Sequence, residues 1–209
     1  LSSLPGCGKE GLTMYSLVRF FLYWLFRLVF RCRVCGTENI PATGSVIIAS
    51  NHIGNFDPPL IGCHIPRRIY FMAKEELFRF PIFADVIRWL GAFPVKRGSA
   101  DRQAVKRMLE ILVAGQVLGV FPEGTRGKNG VLGEPEPGMA MMALKTGTTI
   151  VPVAVKGTDF RSGGWPKFSV SFGKAILVAR TKPDKEAVDA LSQQIMREIG
   201  ILMAQKESE

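Results

Sequence analysis

Six short runs of apolar residues, SVIIAS at 45–50, RIYFM at 68–72, AFPV at 92–95, VLGVF at 117–121, TIVPVAV at 149–155 and KFSVSF at 167–172, limit this chain to few architectures. Runs this short, bounded by turn residues and apolar almost throughout, suit strands buried on both faces. Helical patterns separate them. Residues 100–114 place Val105, Met108, Leu109 and Leu112 on one side, with Ser99 positioned to cap, and a terminal helix from about Asp184 repeats at Val188, Leu191, Ile195, Ile199 and Leu202. This alternation predicts an α/β fold, a single domain with a central mixed sheet flanked by helices and functional groups in the loops beyond the strands' carboxyl ends. A length of 209 residues suits one core, and no internal repeat or low-complexity linker divides it.

The N-terminal part reads differently. Residues 1–13 show no folded pattern, and because the chain begins with Leu, Met14 is the expected natural start. From Met14 to Val34 the text is dense in Phe, Leu, Trp and Tyr yet carries Arg19, Arg27, Arg31 and Arg33. A membrane-spanning helix needs about 20 nearly uncharged residues; here the longest uncharged run is Phe20 to Phe26. Arg19, Tyr23, Arg27 and Arg31 recur every fourth residue, a single polar stripe on a helix whose remaining surface is apolar and aromatic. That arrangement fits an amphipathic helix lying on a membrane surface, the arginines near lipid phosphates. The alternatives are a helix packed in the core, a cleaved signal segment and a spanning helix. Residues 1–35 are therefore expected to form a tail and membrane-anchoring helix ahead of a domain spanning 36–209.

The chain carries 27 Lys and Arg against 18 Asp and Glu, a net charge of +9 that draws it toward anionic partners. No nucleic-acid partner is expected, since no recognition helix, zinc finger or aromatic strand with interleaved basic residues is present. A lipid surface and a phosphorylated substrate remain. Cys7, Cys32, Cys35 and Cys63 are too few and too clustered for a disulfide scaffold, which points to a reducing compartment. Cys32 and Cys35 form one CxxC without a second pair, so no metal site is expected.

One of only two histidines follows the first buried run, in SNHIGNFDPP. His52 and Asp57 are five apart, about 140° on a continuous helix, so they meet only where the chain folds back, as Gly54 and Asn55 allow. The carboxylate could then fix one imidazole nitrogen and leave the other as a general base for a hydroxyl. In the plainer reading Asp57 caps a helix opened by Pro58, and His52 is a strand-end residue. FPEGTR at 121–126 also follows an apolar run. It joins Glu123, Gly124, Thr125 and Arg126, a glycine that lets backbone amides approach an oxyanion and a guanidinium fork matched to phosphate, unless Glu123 and Arg126 simply pair with each other. Lys96 and Arg97 end a third run and Arg102 opens the next helix; a solvated basic face is the alternative use of these charges. GMAMMAL at 138–144 either lines an acyl groove or packs as an adaptable core helix.

NHIGNFD, Arg97 in AFPVKRG, FPEGTR and the proline-bearing run IVPVAV, in this order, resemble the four motifs of the glycerolipid acyltransferase family, specifically its bacterial-type 1-acylglycerol-3-phosphate acyltransferases. The resemblance covers roughly 36–180. Ala154 stands where many members carry a second proline, and Pro152 is given no chemical role. The resemblance implies His52 as the base, Asp57 as its orienting partner, and Arg97, Glu123, Gly124, Thr125 and Arg126 as the glycerol-phosphate cradle. It implies a lysophosphatidic acid acceptor, an acyl-CoA or acyl carrier protein donor, no cofactor, and a place on the cytoplasmic face of a membrane. With no GxSxG elbow, direct attack on the thioester is expected. A thioesterase would use the same dyad without the cradle, and a non-catalytic lipid-binding adaptor would need neither motif.

Overall fold

The computed structural model describes residues 9–96, 101–127, 131–161 and 165–205, and the side chains among them from Met14 onward. The first helix, α1 (Lys9–Leu28), leads into a short edge strand, β1 (Arg33–Cys35). Then follow β2 (Val46–Ser50), α2 (Asp57–His64), β3 (Ile69–Lys74), α3 (Pro81–Trp89), β4 (Ala92–Val95), α4 (Arg102–Val113), β5 (Val117–Val120), α5 (Pro137–Thr146), β6 (Thr149–Lys156), β7 (Ser169–Phe172) and α6 (Lys185–Ala204). The strands form one sheet in the order β1-β7-β6-β2-β5-β3-β4. All neighbours are parallel except β6 and β7, so the sheet is mixed.

Both sheet faces are covered, which is why the apolar runs are continuous. Every residue of β2 is buried. Ile47 and Ala49 meet Met108 and Ile111 of α4, Met139 and Ala143 of α5 and Ile195 and Ile199 of α6. Val46 and Ile48 point the opposite way, into Phe26 of α1 and Leu60 and Ile61 of α2. Each fully buried Val, Ile, Leu or Phe among them contributes roughly 1.5–3 kcal/mol, so a one-residue slip of a central strand would exchange two cores and is strongly opposed.

The topology fixes where a site can form. From β2 the chain passes through α2 to β3, beyond β5, whereas from β5 it passes through α5 to β6, on the other side of β2. The loops leaving these neighbouring parallel strands diverge at their carboxyl ends and open a crevice there.

Four local readings are corrected. Helix α1 starts at Lys9 rather than near Met14, with residues 1–8 outside the described residues. It ends at Leu28, and Arg31 takes a left-handed φ of 45°, so the four-residue stripe stops one member early. Arg19 turns to the protein, its Nε donating to the Cys63 carbonyl at 3.3 Å, while the Tyr23 ring packs on His64 with centroids 5.4 Å apart. Helix α4 begins at Arg102 under Asp101, whose carboxylate accepts from the amides of Gln103 and Ala104, both at 3.0 Å; Ser99 lies outside the described residues. Among the described residues no helix is long and apolar enough to cross a membrane.

Candidate active site

His52 stands two residues past β2, and the six residues from 52 to 57 fold back on themselves, the Asp57 amide donating to the Gly54 carbonyl at 3.3 Å. The fold-back brings His52 Nδ1 within 2.8 Å of Asp57 Oδ2. The same oxygen accepts from the amides of Ile53 at 2.7 Å and Gly54 at 2.8 Å, and Thr158 donates its hydroxyl to Oδ1. Asp57 is fully buried and is the first residue of α2, with Pro58 behind it. Its carboxylate reaches back into the turn rather than forward to cap the helix, so the pairing and the helix start coexist. A carboxylate only accepts, so Nδ1 carries the proton, which in the neutral imidazole leaves the Nε2 lone pair free.

The chain around this pair is held by bonds to distant segments. Asn51 pairs with Val155 of β6 through both ends of its amide, donating to the carbonyl at 2.9 Å and accepting from the N–H at 2.8 Å. These bonds extend the sheet ladder one residue past β2 and set the plane from which the turn departs. The His52 carbonyl accepts from the Gly127 amide at 2.8 Å. Beneath the imidazole lies the Phe121 ring, with centroids 4.1 Å apart and planes 18° from parallel. Phe121 in turn stacks on Phe71 of β3 at 5.9 Å.

FPEGTR lies beside this turn because β5 pairs with β2. Glu123 is buried, and its carboxylate accepts from the His52 amide at 3.4 Å and from the Gly133 amide at 2.8 Å. It therefore braces one loop against the other, in place of an ion pair with Arg126. Gly124 adopts φ 65°, a conformation that disfavours other residues. Thr125 and Arg126 are exposed, and Arg126 Nη2 donates to Asn55 Oδ1 of the turn. Arg97 lies outside the described residues. Its neighbour Lys96 is exposed, its amide donating to Asp101 at 2.9 Å, and Arg102 is exposed at the start of α4.

Phe121, Gly124 and Thr125 also line a cavity of about 840 Å³, walled by Met72, Met108, Met139 and Met142, with Lys96 and Lys145 among its lining charges. In the GMAMMAL segment α5 buries Met139, Ala140 and Ala143 in the core, and Met139, Met141 and Met142 also line this cavity. Cys63 and His64 lie elsewhere. Burial pushes the Cys63 thiol up to about 12 and the His64 imidazole below its ordinary value, and Cys63 donates to the Leu60 carbonyl at 3.2 Å. A thiol held in this way is a poor nucleophile.

The roles of Thr158, Asn51 and Phe121 were not recognised from sequence. Asn51 stood within the quoted motif, but Thr158 is 101 positions from Asp57 and carried no local signal.

Residues 31–156 match the family model described as Acyltransferase. A 1-acyl-sn-glycerol-3-phosphate acyltransferase of Borreliella burgdorferi is 36% identical over 128 residues, 60% of this chain and 51% of its own length. This chain thus spans about half the length of that relative. One from Bacillus subtilis is 29% identical over 175 residues, 80% of this chain and 85% of its own. The crystal structure of the 1-acyl-sn-glycerophosphate (LPA) acyltransferase PlsC from Thermotoga maritima superposes with a TM-score of 0.74 at 26% identity, covering 96% of this chain and 84% of that one.

Proposed function

From the premise that this chain belongs to the acyltransferase family, we propose that it transfers a fatty acyl group from acyl-CoA or acyl carrier protein to the sn-2 hydroxyl of 1-acylglycerol-3-phosphate, giving phosphatidic acid for phospholipid synthesis. The observation that carries this reading is the buried His52–Asp57 pair whose imidazole rests on Phe121, a wall of the methionine-lined cavity. The names of the Borreliella and Bacillus relatives and of the Thermotoga structure support it.

In the reaction His52 Nε2 takes the acceptor hydroxyl proton as the oxygen attacks the thioester carbonyl. Asp57 holds the ring and offsets the charge of the imidazolium. Collapse of the tetrahedral intermediate breaks the carbon–sulfur bond, and the imidazolium proton passes to the departing thiolate. The headgroup phosphate meets Arg126, Thr125 and the open backbone at Gly124, with Arg97 as a further cation and Glu123 as the brace that keeps the loop beside the imidazole. The apolar cavity takes the donor acyl chain. Positioning and base catalysis suffice without an acyl-enzyme.

Residues 1–35 supply the lipid contact and 36–209 the chemistry. On α1, Phe20, Phe21 and Leu28 are 58–70% exposed, an apolar face suited to a peripheral place on the cytoplasmic leaflet where soluble thioesters are available.

The test is thiol release from an acyl thioester with and without lysophosphatidic acid. Release is expected only when both are present, and His52→Ala is expected to abolish it. Equal release without acceptor would replace this reading with that of a thioesterase.

A further inference from the structure

Helix α3 is amphipathic in the reverse sense. Its one buried residue is Ala84, at 1% exposure. At about 100° per residue, Ile82, Phe83, Val86 and Trp89 share a sector of roughly 120° on the side away from Ala84. They are 84%, 47%, 41% and 49% exposed, and Phe80 just before the helix is 67% exposed. A surface helix ordinarily turns its apolar stripe to the core. Here a small residue faces the protein and the large apolar ones face outward.

Two observations identify what covers this face. It stands on a helix that packs against α1, which carries exposed apolar residues of its own, Phe21 at 70% and Leu28 at 69%. Charge then separates the occupants. Arg27 and Arg31 are exposed beside the α1 face in a chain of net charge +9, while around α3 the exposed Lys74, Arg79 and Arg88 balance Glu75, Glu76 and Asp85. A second copy would set these cations against each other, whereas anionic lipid headgroups complement them.

We propose that α3, with Phe80, is a second membrane-contacting element, seated in the headgroup–acyl boundary beside α1. The inference rests on the reading that the acceptor is a membrane lipid, and it adds a contact inside the sheet domain. Its position suits that role. The chain leaves β3 at the carboxyl edge of the sheet, the same edge at which His52 and Gly124 leave β2 and β5, so Leu77 and Phe80 bind lipid on the side where the acceptor must arrive.

The experiment uses the whole chain and vesicles of phosphatidylcholine with phosphatidylglycerol. Flotation is measured for wild type, for Ile82→Asp combined with Phe83→Asp, and for Phe21→Asp on α1. Turnover is measured with bilayer-resident lysophosphatidic acid and with a short-chain acceptor dispersed in water. The double variant is expected to lose vesicle affinity by at least tenfold and bilayer turnover in parallel, to keep its melting temperature, and to keep turnover on the dispersed acceptor. Unchanged flotation of the double variant beside a wild type that floats overturns the role of α3 alone. A wild type that does not float overturns the membrane reading, and one that fails on the dispersed acceptor overturns the proposed chemistry. Loss of self-association with unchanged flotation assigns the face to a second copy and also overturns the inference.

Discussion

Replacing Gly54 by alanine is expected to disable the site while leaving the fold intact. Gly54 lies in the turn between His52 and Asp57, packed on the end of β6. A Cβ at this position would run into the Thr158 carbonyl oxygen and stand 2.8 Å from its carbonyl carbon and 3.0 Å from its Cβ, where ordinary contact begins near 3.4 Å. The Thr158 carbonyl cannot easily yield, because Val155, three residues earlier, is tied to Asn51 by two bonds. The turn must therefore retreat by roughly 1 Å, a displacement that costs on the order of 100-fold when catalytic groups are misplaced by it. That corresponds to about 2.7 kcal/mol of barrier. The retreat draws Asp57 from the Thr158 hydroxyl or turns the imidazole off Phe121. The cavity lies on other segments, but Arg126 bonds to Asn55 of the turn, so kcat is expected to fall and KM for the acceptor to rise with it. Steady-state thiol release gives both constants, and a thermal melt checks the fold. A Gly54→Ala enzyme with kcat within twofold of wild type would refute the reasoning, since the turn would then have moved without consequence for the chemistry.

Further substitutions examine other parts of the structure. Thr158→Val keeps the side-chain shape but leaves an oxygen of the buried Asp57 without its donor, a loss of roughly 1.5–3 kcal/mol that lowers the melting temperature by roughly 3–12 °C; Thr158→Ser restores the hydroxyl, and equal melting temperatures for the two variants would contradict the bond. Gly200→Ala in α6 places a Cβ at an ordinary 3.7 Å from Leu132, so the gain of roughly 0.5–1 kcal/mol expected in a helix interior should raise the melting temperature with unchanged turnover. Arg126→Ala is expected to raise KM for a phosphorylated acceptor with little change in kcat, and an unchanged KM would remove Arg126 from the phosphate site. At pH 8 a thiol-alkylating reagent is expected to label exposed Cys35 and spare Cys63, whose thiolate becomes populated only as pH nears about 12; mass spectrometry reads the sites, and rapid labelling of Cys63 in the folded protein would contradict its burial.

The central strands were readable in the sequence because burial on both faces demands continuous apolar text, and β2 and β5 are buried throughout, β6 everywhere but at its two ends. Helices α4 and α6 were readable for a related reason, since one buried stripe leaves a period of three and four. The His52–Asp57 turn was local enough to anticipate, needing a fold-back that Gly54 permits within six residues. For α4 the sequence offered Ser99 as the cap, whereas the helix starts at Arg102 under Asp101. The three-residue β1 is too short for any period and exists because β7 offers it an edge. Periodicity marked α1 as amphipathic, yet which side chains meet the protein depends on what packs there, and Arg19 and Tyr23 of its polar stripe contact Cys63 and His64.

The sequence by itself determined the alternation of strands and helices and the fold-back that lets His52 meet Asp57, because burial pattern and turn chemistry act between neighbours along the chain. Tertiary structure alone decided that Thr158 completes the Asp57 carboxylate, that Asn51 anchors the turn to β6, that Glu123 braces rather than pairs with Arg126, and that Phe121 seats the imidazole against the cavity. Those contacts join segments tens of residues apart, so their energies depend on strand order and register, which exist only once the sheet has formed.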